Sequence, residues 1–263
     1  MAELRYQTQS RAGMQAGVDE GLKSYMLGVY NYMGLGVAVT AILILATFTI
    51  PALGGIARVL SFPAMLAVLA LGWFGPRMVF NGSVGKAHAV YWAYVAAWGI
   101  GIAPIVNRYL GIDPSMVMSA FLTAAITFGA MSVWGYTSKK DLSGMANTVA
   151  MIMIGLLIAA LVNMVVAMFA GLSSTGMLIS ILISAAFVVL VSLLVAWETQ
   201  MVKELYYAGD DVGTQKQKSI FGAFALYGSF VSIFVNLLQI FGFLGGGDVE
   251  QHLPFPLSQL DGD

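Results

Sequence analysis

Among its 263 residues the chain has no cysteine, two histidines and only 10% charged residues. The missing thiols exclude disulfides, thiolate metal centres and cysteine nucleophiles, and leave the redox compartment open. With two histidines and no cysteine, the sixteen methionines read as gap-filling side chains rather than copper ligands. A formal net charge of −1 provides no basic field for nucleic acid. Soluble domains carry about 25% charged residues, more than twice the share found in this chain. What is plentiful is apolar surface: 59% of residues are hydrophobic and the mean hydropathy is +0.84. Water does not tolerate that much exposed hydrocarbon, whereas a bilayer does.

A spanning helix needs about 20 mostly apolar residues. Runs without Asp, Glu, Lys or Arg lie between Lys23 and Arg58, Arg58 and Arg77, Lys86 and Arg108, Asp113 and Lys139, Asp141 and Glu198, and Lys218 and Asp248. The fifth run has 56 residues. As one helix it would extend about 84 Å, far beyond any bilayer. It therefore folds back, and the only cluster of turn residues near its middle is Gly171 to Gly176. The result is an all-α, polytopic membrane protein with seven transmembrane helices. The expected spans are 26–50, 57–74, 88–107, 115–134, 146–170, 177–197 and 220–244. Pro51, Pro76 and Pro114 are expected at helix ends, and Pro104 inside the third span.

Orientation follows from the basic residues. Arg5, Arg11, Lys23, Arg77, Lys86, Lys139, Lys140, Lys203, Lys216 and Lys218 fall on one side, ten of twelve, and only Arg58 and Arg108 on the other. This asymmetry predicts a cytoplasmic N-terminus and a periplasmic C-terminus. Residues 1–24 form a polar, unstructured cytoplasmic tail with no apolar core of a cleaved signal, 25–245 the bundle, and 246–263 a disordered acidic periplasmic tail.

Few polar groups enter the spans. Glu198 borders the cytoplasmic end of the sixth helix, as a gating carboxylate or as a helix-end charge reaching the headgroups. Ser229, Ser232, Asn236 and Gln239 recur at spacings of three or four, one stripe on the seventh helix. The stripe is either a polar pathway or a row of interhelical hydrogen bonds, and Asn163 in the fifth span reads as the latter. Lys139, Lys140 and Asp141 form a cytoplasmic loop, either a latch pairing with acids of the 198–211 stretch or a solvated topology signal. No His-Glu-x-x-His, Ser-Lys or Ser-His arrangement appears in a span, so no enzyme is expected. The last span has no lysine for a retinal Schiff base, which excludes a rhodopsin.

Three stretches together carry a resemblance. They are Val18 to Met26 running into Tyr30-Asn31-Tyr32-Met33-Gly34; Tyr136-Thr137-Ser138-Lys139-Lys140-Asp141-Leu142-Ser143; and Trp197-Glu198-Thr199-Gln200 with Ala225-Leu226-Tyr227-Gly228-Ser229-Phe230. From about residue 18 to 247 the chain resembles the Bax inhibitor-one family, in its bacterial YccA-like branch. The resemblance implies seven helices with a central C-terminal helix, residence in the bacterial inner membrane, and pH-sensitive calcium leak through paired acids on helices six and seven. For the bacterial branch it also implies a partnership, as substrate and modulator, with the FtsH-type membrane AAA protease. The helix-six acid matches Glu198. The helix-seven acid matches Ser229, which is not an acid, and the Asn three residues later matches Ser232. Two facing carboxylates make a hard-oxygen site that suits Ca²⁺, and a carboxylate with a hydroxyl does so far less well. Weak Ca²⁺ binding at best and no other cofactor are expected, and no metal site is assigned.

Overall fold

A computed structural model describes residues 2–171 and 173–244. They form seven helices: α1 (Ala2–Thr49), α2 (Pro51–Phe80), α3 (Val84–Ile112), α4 (Pro114–Thr137), α5 (Ser143–Ala170), α6 (Ser174–Glu204) and α7 (Val212–Leu244). All seven are long and apolar enough to cross a bilayer. Each expected span falls on its own helix. The expected acidic tail, 246–263, lies outside the described residues.

Local chemistry sets the boundaries. Pro51 and Pro114 occupy the first turns of α2 and α4, where a missing N–H costs nothing. Asp113 accepts from the Ser115 N–H at 2.8 Å and so caps α4. Ser83 caps α3 and Ser173 caps α6, each through its hydroxyl oxygen. Gly171, at φ +80, ends α5 in a conformation that side chains other than glycine rarely adopt. Asp211 accepts from the N–H groups of Gly213 and Thr214 at 2.8 and 3.2 Å and opens α7.

Two boundaries differ from the sequence expectation. Pro76 lies inside α2, four residues before its end, rather than at a terminus. A bilayer helix tolerates the lost hydrogen bond where neighbours or water satisfy the freed carbonyl. At the other end α1 opens at Ala2, so the expected unstructured tail continues the first helix. Residues 2–20 contain no proline and several good helix formers, which gives that extension a local reason.

The packing is centred on α7, 78% of whose most apolar stretch is buried. Helices α1, α2, α3, α4 and α6 surround it, while α5 packs on α6 alone among the described residues. Aromatic rings fill the centre: Tyr94 stacks on Phe224 with centroids 4.1 Å apart, and Phe121 and Phe128 meet Phe230 edge-on. Small residues set the closest crossing. A Cβ on Gly135 of α4 would overlap the carbonyl oxygen of Ala196 on α6.

Candidate functional site

Glu198 lies six residues, about 9 Å, before the end of α6. Ser229 of α7 faces it and donates its hydroxyl to Oε1 at 2.9 Å. The other oxygen, Oε2, is shut off from solvent and has no hydrogen-bond partner among the described residues. A buried carboxylate so sparsely satisfied is costly to hold, and such groups inside membranes mark sites of function. Chemically the pair can hold a proton or contribute to a single cation. It is not a complete hard-oxygen cage, and no group of three or more His, Asp or Glu gathers among the described residues.

The α7 stripe divides in two. Ser229 turns to Glu198, while Ser232, Asn236 and Gln239 line a cavity of about 430 Å³ between α5, α6 and α7. Asn163, Ser180 and Ser184 complete its polar wall. The cavity runs along α6 from Ser180 to Val191 and along α7 from Gln239 to Ser232, one helical turn beyond Ser229. Ser232 donates to the Gly228 carbonyl at 2.8 Å, and Asn236 donates to the Ser232 carbonyl at 2.8 Å. Ser184 donates to Gln239 Oε1 at 3.2 Å. With its proton directed at the Gly228 carbonyl, Ser232 offers an oxygen lone pair, while Asn236 and Gln239 present both amide oxygens and N–H groups, so the wall can hold water and can contact a cation through its oxygens. Asn163 instead joins α5 to α6, donating to Ser180 Oγ at 2.7 Å and to the Gly176 carbonyl at 3.2 Å.

The loop of Lys139, Lys140 and Asp141 is closed, but not by the expected ion pairs. Among the described residues neither lysine pairs with an acid, and Lys218 with Asp210, 2.5 Å apart, forms the ion pair of this region. Gln200 is the fastener. Its Nε2 donates to the Lys140 carbonyl at 2.9 Å, and its Oε1 accepts from the Leu142 N–H at 2.9 Å. Lys203 adds a bond to the Tyr136 carbonyl at 2.9 Å and lies over the Tyr136 ring. Asp141 turns inward on its own loop. It accepts from the hydroxyl and N–H of Ser143, which hold its carboxyl below the usual range. The neutral amide fits because Gln200 is buried, and an ion pair there would have to shed its hydration.

Sequence reasoning also misses a set of hydroxyls. Tyr30 of α1 bonds Ser132 of α4, which bonds the fully buried Thr199 of α6 at 3.0 Å. Thr40 of α1 bonds the Tyr227 hydroxyl of α7 at 2.6 Å. The available signal was the adjacency of Thr199 and Gln200 to Glu198 at the end of an otherwise apolar helix.

A multi-pass membrane protein with a buried acid between its last two helices is the class these features define. The family described as "Inhibitor of apoptosis-promoting Bax1" matches residues 22–246, and the chain belongs to that Bax inhibitor-one family. It is 34% identical to an uncharacterized protein of Caulobacter vibrioides over 241 residues, covering 86% of this chain and 90% of the relative. An uncharacterized protein of Rickettsia prowazekii is also 34% identical, over 85% of this chain and 91% of its own length. The inner membrane protein YbhL of Escherichia coli is 32% identical, over 84% and 92% respectively.

Proposed function

We propose that this chain is a pH-sensitive leak pathway for cations, calcium among them, in a bacterial inner membrane, with an acidic site weakened by Ser229. The observation that carries this reading is the buried Glu198 carboxylate, bonded among the described residues on one oxygen only, whose partner Ser229 stands one helical turn from a cavity lined with hydroxyls and amides. A cation moving along the cavity meets neutral oxygens first and one titratable carboxylate at its end. Protonation of that carboxylate removes its negative charge from the path. With a hydroxyl in place of a second acid, the like-charge coupling of a carboxylate pair is absent, so one titration step is expected. The inner-membrane placement draws on the likeness to YbhL. The 10:2 distribution of basic residues supports a cytoplasmic N-terminus, with the cavity then opening toward the periplasm.

The test adds the missing acid. Calcium binding to the purified chain should be weak in the wild type and at least tenfold tighter in Ser229→Asp. Tight wild-type binding that survives Glu198→Gln would overturn the assignment of the site.

A second reading, a non-conducting substrate and modulator of an FtsH-type protease, is favoured by the polar start of α1, which runs ahead of the spanning stretch that begins at Glu20. Deleting residues 2–17 should leave insertion intact and lengthen the cellular half-life. An unchanged half-life with normal insertion rules that stretch out as a handle.

A further inference from the structure

Helices α1 and α4 both pack on α7, yet among the described residues no Cα of one comes within 8 Å of a Cα of the other. A seam therefore runs between them. In the half of the bilayer where the α1 span starts, Tyr30 and Ser132 bridge the seam by a hydrogen bond between their hydroxyls. In the other half it holds a cavity of about 380 Å³. Val37 to Leu45 of α1 form one wall, and Pro114 to Phe121 of α4 the facing one. Ile102 of α3 and Phe230 of α7 lie at its buried back. Leu45 and Met118 line its rim, 54% and 59% exposed, one on each helix. Both belong to spanning stretches, so the opening faces hydrocarbon rather than water.

The lining selects hydrocarbon. Among the described residues Thr40 is its one polar side chain, and its bonds are complete. The Thr40 hydroxyl donates to the Gly36 carbonyl at 3.0 Å, so it accepts from the Tyr227 hydroxyl at 2.6 Å. A trapped water needs about two to four polar partners, and no side chain of the lining is left to supply one. An apolar cavity left empty forfeits the dispersion contacts of its walls. In a soluble protein an apolar cavity of about 150 Å³ stays dry and takes up benzene. The α1–α4 cavity is more than twice as large and has hydrocarbon at its mouth.

Length selects the occupant. From Leu45 to Val37 the cavity runs along α1 for about 12 Å. That is a little less than half of a hydrocarbon core about 30 Å thick, and Val37 lies near the middle of the α1 span, Glu20–Thr49. A partner's transmembrane helix is about 10 Å across and has to cross the whole core, so the Tyr30–Ser132 bridge stands in its way. A phospholipid tail enters from one leaflet and stops at the middle.

We propose that this cavity binds one acyl chain of a phospholipid, whatever its headgroup, from the leaflet on the side where α1 passes into α2. The end of the tail rests against Phe230, the neighbour of Ser229 in the sequence. The bound chain thus packs on the helix that carries the partner of Glu198.

The test reconstitutes the full chain in liposomes with a small fraction of a phospholipid whose tail ends in a photoactivated diazirine, and maps the adducts by mass spectrometry. In the wild type the label should reach Ile102 and Phe230, which are 2% and 5% exposed, as well as the outer face of α5. Ala41→Phe sets a ring in the cavity from an exposed position on its wall. It should cut the label on Ile102 and Phe230 by about tenfold and leave that on α5 unchanged. Should Ala41→Phe fail to fold, Val117→Phe fills the same space from the α4 wall. Tail-labelled phosphatidylglycerol and phosphatidylcholine should give equal adducts, and a preference for either overturns recognition through hydrocarbon alone. Label on α5 with none on Ile102 and Phe230 overturns the site, as does label there that the filling variants leave unchanged. Label that appears there only after the protein is diluted in lipid would put a second copy in the cavity and overturn the lipid as occupant.

Discussion

Helices α5 and α7 are both uninterrupted apolar spans, yet they occupy opposite places. The more apolar of the two, α5, has 6% of its spanning stretch buried, and α7 has 78%. In water the order would be reversed. In a bilayer the solvent is as apolar as leucine, so hydropathy gives no reason to bury a helix. Packing does. The α7 surface carries glycines, hydroxyls and aromatic rings that let neighbours approach and bond. That of α5 is a run of Met, Ile, Leu and Val that lipid solvates equally well. Beyond its first turns its polar handle is Asn163, which bonds α6, its neighbour among the described residues.

The sharpest way to break this comparison is to add the same bulk to both helices. Gly222 of α7 is enclosed: a Cβ there would come within 2.8 Å of Val202 and 3.1 Å of Val29, two stiff β-branched side chains. Gly155 of α5 has nothing within 4 Å. Gly222→Leu should cost about 3 kcal/mol or more, whereas Gly155→Leu should be neutral within about 1 kcal/mol. Unfolding of both variants in mixed micelles checks the pair, and equal losses would show that α5 is as enclosed as α7.

A smaller effect belongs to the fastener near the site. Gln200→Ala removes two hydrogen bonds to the 138–142 loop and leaves the Leu142 N–H unpaired in a buried place, at a cost of about 1–3 kcal/mol. Limited proteolysis should then cut that loop faster, while Lys139→Ala and Lys140→Ala leave the rate unchanged.

Smaller again is Asn163→Ala in α5. Interhelical hydrogen bonds in membranes average about 0.6 kcal/mol, so unfolding should shift by less than about 1 kcal/mol. A larger loss would make Asn163 a member of the cavity's working wall rather than a fastener of the α5–α6 turn.

The smallest effect is electrostatic. Asp141, outside the spans, has a carboxyl held below the usual range by the Ser143 hydroxyl and N–H. A depressed folded-state pKa gives stability that is present above the unfolded value and lost as pH falls through the folded one. Its contribution is therefore full at neutral pH and fades below about pH 4. Asp141→Asn should flatten the acid limb of a stability–pH curve slightly and leave neutral pH almost unchanged.

Much of this architecture was legible in the sequence because a bilayer imposes length and apolarity on every span. The run from Asp141 to Glu198 had to be a hairpin, and Gly171 marked where. The Glu198–Ser229 pairing was readable only through the family resemblance, since no spacing rule links residues 31 apart on different helices. The stripe on α7 was readable from its period, but not its division between an acid and a cavity, which depends on where α6 ends. Gln200 was missed for a physical reason. Charges draw attention in an apolar sequence, yet a buried contact favours a neutral amide that need not shed a strong hydration shell. The central place of α7 likewise came from the resemblance, because hydropathy points the other way.

Cation flux through reconstituted liposomes, with the wild type compared with Glu198→Gln, tests the central claim most directly. Flux in the wild type should follow pH through a single titration step, and Glu198→Gln should abolish that dependence while leaving the protein folded. A pH-dependent flux that persists unchanged in Glu198→Gln would contradict a pathway ending at this carboxylate.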